Sequence, residues 1–250
     1  MKTKKKTVLL GLFVLLGISV VAQAAMSPSI GVAPINVMLT PDNKIQTVKL
    51  INNYTDRGII FNSKLFDWKR ENKKDIYSPS TTANLKISPP VLRLTPKGKQ
   101  TIRVGMLKDE NLSKETLYRL FLTEVPSQTK VAEKGITKAV AVNMNMRIGI
   151  PIYVYPKNAN CNLAWDVRKT SDGVNIKLSN HGNAHAKIVA ITATASGKQV
   201  AAQDLYSNLY SGETNEIALK IPGNIGNIKF KITTEDAPVK VINKTYEAKL

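Results

Sequence analysis

Cysteine, histidine and acidic residues are scarce in this chain, and each scarcity removes a class of function. Cys161 is the only cysteine, so no disulfide can close within the chain and paired-cysteine metal sites are excluded. The fold must rest on burial and hydrogen bonding, and Cys161 is either a small buried hydrophobe, the commoner state of a lone cysteine, or an exposed thiol. His181 and His185 are the only histidines. Their i, i+4 spacing would suit a metal on a helix, but Asn180-His181-Gly182-Asn183-Ala184-His185 reads as a surface turn between strands. Neither a nucleophile elbow, a two-histidine zinc helix nor a glycine-rich phosphate loop occurs. The chain is therefore expected to have no catalytic residues, no metal and no cofactor.

Acidic side chains number 18 against 36 Lys and Arg, for a formal net charge of +18. Such a surface suits nucleic acid, an anionic membrane or an acidic protein. The cations are scattered through the chain with no helix-turn-helix, zinc-finger or aromatic-glycine signature, so nucleic acid is not an expected partner. Long apolar runs are missing after the N-terminus, where a membrane span would need about 18 such residues. The start itself, Met1-Lys2-Thr3-Lys4-Lys5-Lys6, then apolar Val8 to Val21, then Ala22-Gln23-Ala24, has the three parts of a secretory leader. Cleavage after Ala24 is expected to release a soluble, exported protein.

What the chain does have is strand periodicity. Between Lys138 and Pro156, Val140, Val142, Met144, Met146, Ile148, Ile150, Ile152 and Val154 fall on every second position, while Asn143, Asn145, Arg147 and Gly149 face the other way. This predicts a half-buried strand two to three times the usual length of about 5–6 residues. It serves either as a long core strand or as an apolar edge held for another protein. Six shorter runs precede it: Ile30 to Leu39, Gln46 to Asn52, Gly58 to Trp68, Leu85 to Leu94, Gln100 to Leu107 and Thr116 to Val125. Together these predict an all-β chain whose residues 25–156 form an immunoglobulin-like sandwich. A short helical turn is expected at Asp109 to Glu115. The polar stretch Lys157-Asn158-Ala159-Asn160 marks a boundary, and runs from Leu163 to Leu250 predict a second β-sandwich over 157–250, meeting the first at a fixed angle across a cleft. Arg93, Arg103, Arg119 and Arg147 each sit among apolar neighbours. A cleft-facing arginine can hold a carboxylate, such as a chain end, through two parallel hydrogen bonds.

Several segments together resemble the periplasmic chaperones of bacterial chaperone–usher pilus assembly. They are the leader, the Pro89-Pro90-Val91-Leu92-Arg93-Leu94-Thr95-Pro96 core, Gln100-Thr101-Ile102-Arg103-Val104, Tyr118 to Pro126, Arg147 to Val154 and Leu178 to His185. The last two look most like the archaic branch of that family. The resemblance implies two immunoglobulin-like domains in a boomerang, binding strand-deficient pilus or surface-fibre subunits by lending them a strand and delivering them to an outer-membrane usher without ATP. It implies Val140, Val142, Met144 and Met146 as the donor residues. In the classical branch of that family two basic residues in the cleft, one on the first strand and one late on the long strand, hold the subunit's C-terminal carboxylate. Here Ile30 to Val37 has neither Arg nor Lys, so Arg93 or Arg103 together with Arg147 is expected to substitute. An unfilled apolar stripe would favour self-association of the free protein. The competing reading is a secreted β-sandwich structural or adhesin subunit that polymerises through the long strand.

Overall fold

The computed structural model describes residues 29–109, 111–126, 145–221, 226–235 and 238–249, and among them no helix occurs; the described residues of the turn expected at Asp109 to Glu115 are not helical. The first half holds β1 (Ile30–Ala33), β2 (Val37–Leu39), β3 (Ile45–Asn52), β4 (Ile59–Glu71), β5 (Lys74–Pro79), β6 (Leu85–Ser88), β7 (Val91–Leu94), β8 (Lys99–Met106), β9 (Thr116–Glu124) and β10 (Arg147–Val154). One sheet runs β1-β3-β8-β6 and the other β2-β10-β9-β4-β5, with β7 also on β4. Alternation decides which face each sheet buries. Val48, Leu50, Ile102 and Val104 from the first sheet meet Phe61, Leu120, Leu122, Ile150 and Ile152 from the second in one core.

Two expected strands are divided where proline interrupts a ladder, because proline has no N–H to donate. Around Pro34 the chain leaves β1, antiparallel to β3, and enters β2, parallel to β10 in the opposite sheet. Around Pro89-Pro90 it passes from β6 on β8 to β7 on β4. β5 was hidden by its polar sequence. It forms a hairpin with β4 through Asn72 and Lys73, at φ of 51° and 62°, the left-handed pair that a two-residue hairpin turn requires.

The second half holds β11 (Asn160–Lys169), β12 (Gly173–Asn180), β13 (Ala186–Ala195), β14 (Lys198–Leu209), β15 (Thr214–Lys220), β16 (Asn227–Thr234), β17 (Lys240–Ile242) and β18 (Thr245–Lys249). Its sheets run β15-β12-β11-β17 and β14-β13-β16-β18. Phe230, Leu178, Ile191 and Cys161 are buried in its core. Burial pushes the Cys161 thiol up to about 12, helped by the negative charge of Glu115. Trp68, Tyr153 and Tyr155 from the first sandwich join this second core, so the two sandwiches are packed together.

Candidate functional site

Of the long alternating stretch, the structure describes the part from residue 145, and Val140, Val142 and Met144 lie outside the described residues. Met146 and Ile148 are half-buried and pack against the first core. β10 follows β9 antiparallel from Arg147 opposite Thr123 to Val154 opposite Thr116. On its other side β2 covers only Ile152 to Val154. Arg147 to Pro151 therefore present a backbone edge with no strand partner among the described residues.

Register gives the outward face of this sheet as a ladder of rows. Nearest the second sandwich stand Tyr153, Leu117, Trp68 and Tyr77; next come Pro151, Arg119, Phe66 and Pro79; then Gly149, Phe121 and Lys64; then Arg147, Thr123, Asn62 and Val91. Two arginines lie across the aromatic rows. The Arg119 guanidinium stands 4.5 Å from the Trp68 ring centre and donates to the Tyr77 hydroxyl at 2.9 Å and to the Gly149 carbonyl at 3.5 Å. The Arg147 guanidinium lies 3.8 Å from the centre of Phe121, whose edge meets Phe66 at 5.1 Å and Tyr77 at 5.4 Å. Neither arginine has a carboxylate partner among the described residues. A guanidinium laid on ring faces keeps N–H edges free for an incoming anion.

Gly149 makes this arrangement fit. A Cβ there would stand 3.0 Å from Phe121 Cε1 and 3.5 Å from Arg119 Cδ, so any side chain would press the Phe121 ring outward by a few tenths of an ångström, whereas glycine lets the ring and the arginine stem close over β10.

The three arginines expected from sequence are not brought together. Arg93 shares the outward face with Arg147, but three strands away, about 15 Å at about 4.8 Å per strand. Arg103 is exposed on β8, on the outward face of the opposite sheet, and cannot reach the same ligand as Arg147. Arg119 takes the central position instead. The legible sign was that outward positions of β4 and β9 carry Phe66, Trp68 and Phe121 around Arg119, three rings on a face that alternation assigns to solvent.

The junction between sandwiches closes the ladder's end. Trp68 meets Tyr210 at 5.7 Å and Tyr153 meets the His185 ring at 4.3 Å. Arg70 bonds Glu213 at 2.8 Å and lies over the Tyr210 ring. Burial opposes its charge, yet Glu213 and Asp75 raise its pKa above the ordinary value. His185 corrects the expectation of a surface turn: it is buried, its backbone N–H donates to Glu115 Oε2 at 2.8 Å, and Nδ1 lies 2.6 Å from Oε1. His181 alone stays exposed. Asn180 holds the turn, donating to the carbonyls of Ala184 and Leu209 and accepting from the N–H groups of Asn162 and Gly182. Beside β10, a cavity of about 230 Å³ opens between Asn36, Pro151, Tyr153, Lys187 and Asn208. Among the described residues, no group of His, Cys, Asp and Glu is arranged to hold a metal.

Residues 29–160 match the model of the pili and flagellar-assembly chaperone family, PapD N-terminal domain. A search of curated proteins found no match. Among solved structures, the class 5 fimbriae chaperone CfaA is similar with a TM-score of 0.58 at 16% identity, over 88% of this chain and 98% of that one. A chain of the CsuC–CsuE chaperone–tip adhesion subunit complex of Acinetobacter baumannii gives 0.52 at 20% identity, over 86% and 99%. A chain of the Salmonella enterica SafA pilin–SafB chaperone complex gives 0.52 at 18%, over 89% and 97%. At these identities the likeness is one of fold, two immunoglobulin-like sandwiches.

Proposed function

We propose, for a chain that belongs to the pili and flagellar-assembly chaperone family, that it is exported to the periplasm and lends a strand to incomplete pilus or surface-fibre subunits. Residues 1–24 serve as a cleaved leader, and 25–156 and 157–250 as the two domains. The observation that carries this reading is the open edge of β10 from Arg147 to Pro151. A partner strand can extend the sheet there by backbone hydrogen bonds while alternate side chains enter its groove. Val140, Val142, Met144 and Met146 are the donor side chains, each worth roughly 1.5–3 kcal/mol when fully buried, before association costs. Delivery to an outer-membrane usher needs no ATP in this scheme, because a neighbouring subunit's strand displaces the chaperone's and packs better. The Arg147 to Val154 and Leu178 to His185 segments align the protein with the archaic branch.

Arg119, with Arg147 along the same face, is the site for the subunit's C-terminal carboxylate, and Arg93 and Arg103 are not needed. Support comes from the position of Arg119 one row from the junction and from its lack of a carboxylate partner among the described residues. The test is capture of co-expressed subunit by affinity-tagged protein from periplasm. Val142→Asp should abolish a stoichiometric complex while the fold survives, Arg119→Gln should weaken it at least tenfold, and Arg103→Gln should leave it within twofold. Undiminished capture by Val142→Asp would remove the donor-strand reading, and fibres of the protein alone would favour a self-assembling subunit.

A further inference from the structure

The sheet facing away from the arginine ladder has its own chemistry. Register aligns its outward positions in rows: Gly31, Ile51 and Lys99; Ala33, Lys49 and Thr101; Thr47, Arg103 and Ser88; Ile45, Gly105 and Lys86. Lys49, Lys86, Lys99 and Arg103 are all exposed, and none has an ion-pair partner among the described residues. No acidic residue occurs in β1, β3, β6 or β8. At one margin two aliphatic side chains stand free, Ile45 at 62% exposure and Leu107 at 61%. Leu107 follows β8 on the same outward parity as Arg103 and Gly105.

We propose that this face docks the protein on an anionic phospholipid membrane. Charge complementarity selects a negative partner, since four cations on the three adjacent strands β3, β8 and β6 with no intervening anion repel one another until an anionic surface neutralises them. The face lacks what a protein partner would grip. It has no aromatic residue, whereas protein interfaces are anchored by buried Trp, Tyr and Arg and are depleted in lysine. Three lysines and one arginine spread over a sheet, with two aliphatics at the margin, match the chemistry of peripheral lipid binding, in which basic side chains meet headgroups and apolar ones enter the boundary. Each such cation raises affinity for an anionic leaflet about fivefold. Docking in this way would leave the ladder on the opposite sheet free, so the inference goes beyond the proposed function and does not depend on it.

The experiment is sedimentation of purified, exported protein, its N-terminus verified by mass, with vesicles of phosphatidylcholine containing 30% phosphatidylglycerol, and with phosphatidylcholine alone. Wild type should bind the anionic vesicles, not the neutral ones, and should release in 0.5 M salt, where screening is nearly complete. Lys49→Glu/Arg103→Glu should weaken binding at least tenfold with an unchanged melting curve. Lys198→Glu/Lys220→Glu, the same change in net charge on exposed positions of the second sandwich, should stay within twofold. Equal losses in the two variants would reduce the effect to net charge and overturn the proposal. So would absence of vesicle binding, or a face variant that binds vesicles normally but loses a protein partner.

Discussion

Tyr155 is 1% exposed, and its hydroxyl is the buried side-chain polar atom without a hydrogen-bond partner among the described residues. An unpaired buried hydroxyl costs about 1–3 kcal/mol. Tyr155→Phe should therefore raise stability by about 1 kcal/mol in urea unfolding, since the ring keeps its contacts with Tyr153 and His185. Asn180 is the opposite case. It is fully buried, and Asn180→Leu would strand two carbonyls and two N–H groups at once. Loss above about 3 kcal/mol is expected by the same measurement. The sequence around Asn180 was legible as a turn but not as a buried one, because nothing in Gly182 or Asn183 reveals that Glu115, some seventy positions earlier, closes over His185. Gly182 shows the tightness: a Cβ there would lie 2.3 Å from the Asn160 carbonyl.

Strands were read well where alternation is strong and poorly where sheets exchange chain. β9, β10, β12 and β16 follow the apolar period, whereas the division of Ile30 to Leu39 between two sheets depends on Pro34 meeting two ladders that lie far apart in sequence. The candidate site was legible as an edge strand and not as a ladder. Apolar neighbours along the chain mark Arg93, Arg103, Arg119 and Arg147 alike, and the resemblance points to Arg93 or Arg103 with Arg147, but whether arginines share a face is decided by neighbours across strands. Gly149 tests the ladder as an element. Gly149→Val would press on Phe121, break the contact of its ring with Arg147 and shift Arg119, at a cost of about 1–3 kcal/mol from overpacking. Urea unfolding should show that loss. If the ladder is the binding face, capture of subunit should weaken by more than the stability change explains.

At the scale of the whole molecule, the join between sandwiches is built from groups that must stay protonated. Burial raises the pKa of Tyr153, Tyr155, Tyr210 and Cys161, the first three in or beside the junction and the last in the core they share. In the unfolded chain Cys161 ionises near 9 and the tyrosines near 10, whereas in the fold Cys161 holds its proton to about 12 and the tyrosines hold theirs above 10. Above pH 9 the unfolded chain thus binds fewer protons than the folded one, so stability is complete below that pH and falls as pH rises through this window. Each such group contributes a slope that approaches about 1.4 kcal/mol per pH unit. Trp68, Tyr153 and Tyr155 belong to the second core although they come from the first half of the chain, so the loss should take both sandwiches together. Calorimetric scans from pH 8 to pH 11 should show one transition moving steeply downward in temperature, with a shallower descent for Tyr155→Phe. Two transitions, of which only one depends on pH, would mean that the junction does not couple the sandwiches.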